Sequence, residues 1–209
     1  MRVSGLFFLM VITGAWSSLA AIRPGRSPWG LALASVGAPG PLRPFLTLPP
    51  NTVSTSPYHP ANLRRHYELA AADKAAGEKF YKLLADYKDR DALVLGYKAA
   101  AEAIRARDAS MFNKLTYVQD AAKTFEQAVG LDPQNPEIRF LRFSVESNLP
   151  AFLGLSKHVD EDKEMLLNAA LSHPNSGLDA ESFRTVRSFL VGRGHVSDGE
   201  AERLNKVKE

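Results

Sequence analysis

The chain has 209 residues, 45% of them apolar, which suits one domain of ordinary size with flanking segments. Its formal charge is +3, but the first sixty residues carry four arginines and no acid. Subtracting these four from the 26 basic residues leaves 22 against 23 acids, so the remainder is nearly neutral. This balance argues against nucleic-acid binding, which needs a basic surface. The absence of cysteine excludes disulfides and lipidation of a cysteine.

The first twenty residues have the features of a secretory signal peptide. Arg2 precedes the apolar run at 6–16, and Ser18 and Ala20 supply small residues at a cleavage site. We therefore expect export, with a bacterial periplasm as the destination. The alternative is an inner-membrane anchor, because the uncharged run at 3–22 is about 20 residues long, enough to span a bilayer.

Residues 21–60 form a predicted linker that holds nine of the thirteen prolines. Such a density opposes helices and central strands and favours extended conformations. A semi-rigid spacer is the favoured interpretation, and a recognition motif for a proline-binding partner is the alternative. We expect one all-helical domain over 61–209.

The domain begins with an apolar helical face at 62–87, which fits one long helix or two short ones. Further helices are predicted at 91–108 and about 114–130. Asp132-Pro133 ends the third helix, because the residue before proline leaves the helical region. Asn135-Pro136 starts the next one, as an N-cap followed by proline at the first helical position. The short turn predicts two antiparallel helices in contact.

The residues around this turn carry a family resemblance. The pattern Ala121-x3-Phe125-x2-Ala128-x4-Pro133 resembles the second helix of a tetratricopeptide repeat, a helix–turn–helix unit of about 34 residues. Leu95-Gly96 resembles the start of the first helix, so a degenerate likeness covers 95–145. The resemblance implies stacked antiparallel hairpins in a right-handed array, and a surface that binds proteins.

The helix predicted at 136–148 has two apolar sides. Ile138, Leu141 and Val145 line one side, and Phe140 and Phe143 lie on a second. A helix with two apolar sides packs between neighbours, so we expect it at the centre of the domain. Arg139 joins Arg142 and Glu146 in its narrow polar strip, and the last two are spaced to pair with each other.

The apolar loop at 148–156, which contains Pro150, is expected to pack into the core through the side chains of Leu149, Phe152, Leu153 and Leu155. A fifth helix is predicted at about 157–172, and Asp179 can cap a sixth. Ser197 and Glu200 match a capping box that opens a last helix. No segment alternates as a strand. The predicted fold is all-α, with six or seven helices.

The sequence contains no recognisable catalytic, cofactor-binding or metal-binding constellation. It lacks cysteine, a Gly-x-Ser-x-Gly elbow and a phosphate-binding glycine loop. The closest approach to a metal site is the group formed by His158, Asp160, Glu161 and Asp162. Because the glycine and distal glutamate of a calcium loop are missing, a solvated first helical turn is the favoured interpretation.

Two further groups of side chains have competing interpretations. Arg64 and Arg65 fit a solvent-facing helix start or a basic handle for an anionic surface. Six aromatic residues could line a groove that binds a peptide, although aromatic residues at helical spacing more often belong to the core. They are Tyr67, Phe80, Tyr81, Tyr87, Tyr97 and Phe112.

Our hypothesis from sequence is an exported, non-enzymatic module that binds or scaffolds a protein or peptide. The alternatives are a helical enzyme or small-ligand carrier with a pocket between helices, and a protein held at the membrane by an uncleaved N-terminal segment.

Overall fold

The computed structural model describes residues 56–208, which form an all-α domain and contain no strand. The all-α prediction is therefore confirmed. The described chain contains eight α-helices, one or two more than expected: α1 (Pro60–Ala72), α2 (Lys74–Ala85), α3 (Ala92–Asp108), α4 (Met111–Leu131), α5 (Pro136–Glu146), α6 (Val159–Leu171), α7 (Ala180–Gly192) and α8 (Asp198–Lys206).

The additional helix arises at Asp73, which divides the 62–87 segment in two. Asp73 has an extended backbone, and its carboxylate accepts a hydrogen bond from the amide of Ala76 at 2.7 Å. Such an N-cap satisfies a backbone donor at the start of α2 and lets the chain reverse direction after α1.

Asp73→Ala should lower the free energy of unfolding by about 1 kcal/mol, because the amide of Ala76 loses its acceptor. Ser110→Ala is the matched control, since Ser110 caps α4 without a side-chain hydrogen bond. Urea denaturation measures both variants. Equal losses would contradict a specific role for the Asp73 carboxylate.

The first five helices alternate in direction. Gly77, near the start of α2, packs closely against Ile104 and Asp108 at the end of α3, so these two helices run antiparallel. A two-residue connection then folds α4 back along α3. Gly96, near the start of α3, packs against Ile138 near the start of α5, so these two run parallel.

Two hydrophobic cores share α5, as its two apolar sides predict. Ile138, Leu141 and Val145 face the first core, which is built with α1 to α4. Phe140 and Phe143 face the second core, whose other buried members are Leu166, Ala170, Leu178, Phe183, Val186, Phe189, Leu190 and Leu204. The expectation of a central α5 is therefore met.

The loop after α5 differs from its prediction. Leu149 packs against the first core and Leu153 and Leu155 are half-buried, but Phe152 is 86% exposed. A single 3₁₀ turn (Ala151–Leu153) and a left-handed Gly154 shape this connection. The short turn directs the side chain of Phe152 toward solvent, so the prediction that this side chain enters the core is wrong.

The first described residues contact the domain although the sequence assigns them to the linker. The Tyr58 ring lies 4.9 Å from that of Tyr87, and His59 caps α1, which begins at Pro60. The predicted leader and the linker up to residue 55 lie outside the described residues. Between residues 56 and 208, no helix is both long and apolar enough to cross a membrane.

Candidate functional site

A groove with a volume of about 680 Å³ lies beside α3. We call it the central groove. Its floor includes Leu95 and Lys98 of α3, and one side is formed by the α2–α3 connection from Tyr87 to Arg90. The other side belongs to α4, through Thr124, Glu126, Gln127, Gly130 and Leu131. The groove therefore presents aromatic, apolar and charged groups together on a surface accessible to solvent.

Further down the same side of α3, α2 and α4 meet through two tyrosines. The rings of Tyr81 and Tyr117 lie 5.7 Å apart, edge to face. The guanidinium of Arg105 lies 5.8 Å from the centre of each ring and pairs with Glu78 of α2. These residues join α2 to α4 and are not part of the lining of the central groove.

Glu102 lies on α3 between Lys98 and Arg105, and its side chain is unusually enclosed for a carboxylate. The residue is 8% exposed, and its Oε2 has no hydrogen-bond partner among the described residues. Burial raises the pKa of Glu102, and the charge of Asp120 raises it further, whereas a hydrogen bond with Thr124 and the charge of Lys98 oppose this. The fold thus buries an incompletely satisfied acceptor, which is costly.

A second polar cluster joins the two cores. The guanidinium of Arg64 on α1 donates two hydrogen bonds to Glu137 of α5, at 2.8 and 2.7 Å, and one to Asp179 at 2.6 Å. The Tyr97 hydroxyl donates to Glu137 at 2.5 Å. Hydrogen bonds to Glu137 raise the pKa of Arg64, against the opposing effect of burial. Arg64 is therefore neither a solvent-facing helix start nor a basic handle, whereas Arg65 is exposed.

Tyr97→Phe should lower the free energy of unfolding by about 1–2 kcal/mol, because the half-buried Glu137 loses a donor while keeping Arg64. Tyr81→Phe is the control, since it removes a hydroxyl from another tyrosine, which is half-buried and whose ring packs edge to face on Tyr117. Thermal unfolding followed by circular dichroism measures both. A loss no greater than that of the control would contradict this role for Tyr97.

The cleft beside Arg64 is small, with a volume of about 40 Å³ between α1, α5 and α7. A void of this size holds about three water-sized groups. Its lining includes Tyr67, Phe140 and Val186, and its rim carries Glu68 and Glu181. The cleft is consequently too small for an ordinary organic ligand, so it lends no support to a small-ligand carrier.

The acidic group considered as a metal site is divided among three environments. Asp162 is fully buried and accepts hydrogen bonds from Arg139 at 2.8 Å and from Arg142 at 2.7 Å through two nitrogens. Glu161 pairs with Arg139 at 2.5 Å, and the Asp160 side chain is 98% exposed. The solvated-turn interpretation holds for Asp160 but is wrong for Asp162, which anchors α6 to α5.

The expected pair between Arg142 and Glu146 does not form, because each binds a different partner. Arg142 turns to Asp162, and Glu146 accepts from the backbone amide of His158 at 2.8 Å and contacts its Nδ1 at 2.9 Å. Within residues 56–208, no three histidine or acidic side chains converge as metal ligands.

The six aromatic residues singled out from the sequence lie in different environments. Phe80, Tyr87 and Tyr97 are buried in the first core, and Tyr87 also borders the central groove. Tyr67 and Tyr81 are half-buried, whereas Phe112 is 93% exposed.

Sequence reasoning did not identify Glu102, Arg105 or Tyr117 as part of a site. The available signal is the spacing of the charged residues at 98, 102 and 105, which keeps them on one side of α3.

No protein-family model matches the chain, and searches of curated proteins and of solved structures likewise return no match.

Proposed function

We propose that this chain is a non-enzymatic protein-binding or scaffold module of the cell envelope, exported by its N-terminal signal. In this proposal the helices form a right-handed, tetratricopeptide-like stack of hairpins. The α3–α4 hairpin carries the motif residues, and a short connection leads to α5, which packs beside α3. These contacts support the architecture because each hairpin of such an array packs against the next.

The observation that carries the proposal is the central groove. It is open along one side, and it combines Tyr87, Leu95 and Leu131 with charged side chains at its rim. A mixed surface of this kind suits a peptide, whose apolar side chains bury against the floor while its polar groups meet the rim. The lining of the groove does not bring together a nucleophile, a base and an oxyanion site, so the proposed function is binding without catalysis.

The test is selection of random peptides displayed on phage against the purified full-length protein, with affinities then measured by fluorescence anisotropy. Gln127→Trp places an indole in the groove and should weaken binding about tenfold or more. Gln119→Trp is the matched control, because Gln119 is exposed on the same helix but does not line the groove.

Two outcomes contradict the proposal. One is a failure to select any peptide that binds the folded protein. The other is equal weakening by both tryptophan variants, since binding would then not depend on the groove.

A further inference from the structure

His195 lies at the junction between α7 and α8, where its backbone helps to end α7. Its amide donates to the carbonyl oxygen of Leu190 at 3.0 Å, and the amide of Gly194 donates to that of Val191 at 3.2 Å. Gly194 has a positive φ of 66°. These bonds form a Schellman motif, in which the residue after the glycine commonly makes an apolar contact with the last turns of the helix. Here an imidazole makes that contact.

The imidazole ring of His195 packs on two phenylalanine rings of the second core. It lies nearly parallel to the ring of Phe189 of α7, with 5.1 Å between centres, and edge to face with Phe143 of α5 at 4.9 Å. Both phenylalanines are buried. A neutral imidazole suits such a place, whereas a charged one loses part of its hydration there. The packing of the junction therefore favours the neutral form of His195.

The charges around His195 also oppose its protonation. The guanidinium of Arg193 lies 5.8 Å from the centre of the Phe189 ring, so a cation is already placed at the ring on which the imidazole stacks. Burial lowers the pKa of His195, and the positive charges of Arg193 and of Lys163 on α6 lower it further. A second positive charge at this point is consequently unfavourable.

We propose that His195 is a pH-sensitive switch, whose protonation opens the α7–α8 junction and loosens α8 from the second core. α8 has nine residues, and its buried side chain is Leu204, which belongs to that core. Val196 and Val207, beside the two ends of the helix, pack partly against the same core. Release of α8 thus uncovers an apolar surface. The switch does not depend on the proposed function, because the central groove lies beside α3.

The direction of the pH dependence follows from the position of the imidazole. Because folding lowers the pKa of His195 below its ordinary value of 6.5, the released state binds a proton more readily than the packed state. Acidification through and below pH 6.5 therefore favours release. At higher pH the imidazole is neutral in both states and favours neither.

The test is hydrogen exchange of the full-length protein at about pH 7.5 and about pH 5.5, with each rate corrected for the intrinsic rate of a free amide. The opening equilibrium constant of the α8 amides should be about threefold larger at the lower pH. His195→Phe keeps an aromatic ring in place and should abolish this difference. His66→Phe is the matched control and should retain it, because His66 is exposed and its ring likewise faces a phenylalanine, Phe80 at 6.1 Å.

Two results overturn the proposal. One is the same pH dependence of α8 exchange in wild type and His195→Phe, and the other is an equal change in the amides of α3 and α8. Glu200 cannot produce the effect, because hydrogen bonds from the backbone and hydroxyl of Ser197 lower its pKa below the ordinary 4.5.

If His195→Phe does not fold, NMR titration of the wild-type imidazole decides. A midpoint below 6.5, with α8 exchange accelerating over the same pH range, supports the switch. A midpoint at or above 6.5 overturns it, since protonation would then not favour the released state.

Discussion

Asp162→Asn should destabilise the protein more than any other single change of a charged residue proposed for it. Asp162 is fully buried and receives three hydrogen bonds from Arg139 and Arg142, both nearly fully buried themselves. Removing the charge leaves Arg139 with Glu161 alone and Arg142 with no carboxylate nearer than Glu161 at 3.9 Å, in a weakly solvated place. Loss of one partner from a buried ionic group costs about 3–5 kcal/mol, and we expect a decrease of that size in the free energy of unfolding.

Urea denaturation of Asp162→Asn measures this loss, and hydrogen exchange locates it. The amides of α6 should exchange faster, because Asp162 anchors that helix to α5. Asp160→Asn is the matched control, two residues away on the same helical turn, with a side chain that is 98% exposed. A cost for Asp162→Asn below about 1 kcal/mol, the usual range of exposed ion pairs, would show that the network contributes little.

Phe143→Ala should lower the free energy of unfolding by about 3–5 kcal/mol, because it leaves a large cavity in the second core. Phe143 is fully buried, and its ring contacts those of Phe189 and His195 at 5.7 and 4.9 Å between centres. The chain cannot easily fill the space, since α5 is fixed by the first core on its other side.

Phe152→Ala is the matched control for this substitution, because it removes the same atoms from a side chain that is 86% exposed. We expect a change within about 0.5 kcal/mol. Thermal and urea unfolding compare the two variants. A large cost for Phe152→Ala would mean that the loop side chain is buried in solution.

Helix boundaries were predictable because the groups that set them are near one another in sequence. Asn135 accepts hydrogen bonds from the amides of Glu137 and Ile138, and Ser197 and Glu200 form the predicted capping box. The two apolar sides of α5 were predictable for a related reason, since helical spacing alone determines which residues share a side.

The polar sites were not predictable in the same way, because their partners are distant in sequence. Arg64 and Glu137 are 73 residues apart, and Arg142 and Asp162 are 20 apart. Local spacing instead suggested that Arg142 pairs with Glu146. In the structure Arg142 pairs with Asp162, which is more deeply buried than Glu146. The exposure of Phe152 depends on a short 3₁₀ turn, which the apolar composition of the loop does not predict.

The placement of α5 between both cores limits how the protein can be dissected. A fragment ending after Glu146 would display Phe140 and Phe143 to solvent, together with two arginines deprived of Asp162. A fragment starting at Val159 would lack those same rings. Neither piece can be expected to behave as an autonomous folding unit, so an expressed fragment has to keep α5 together with the helices that build both cores.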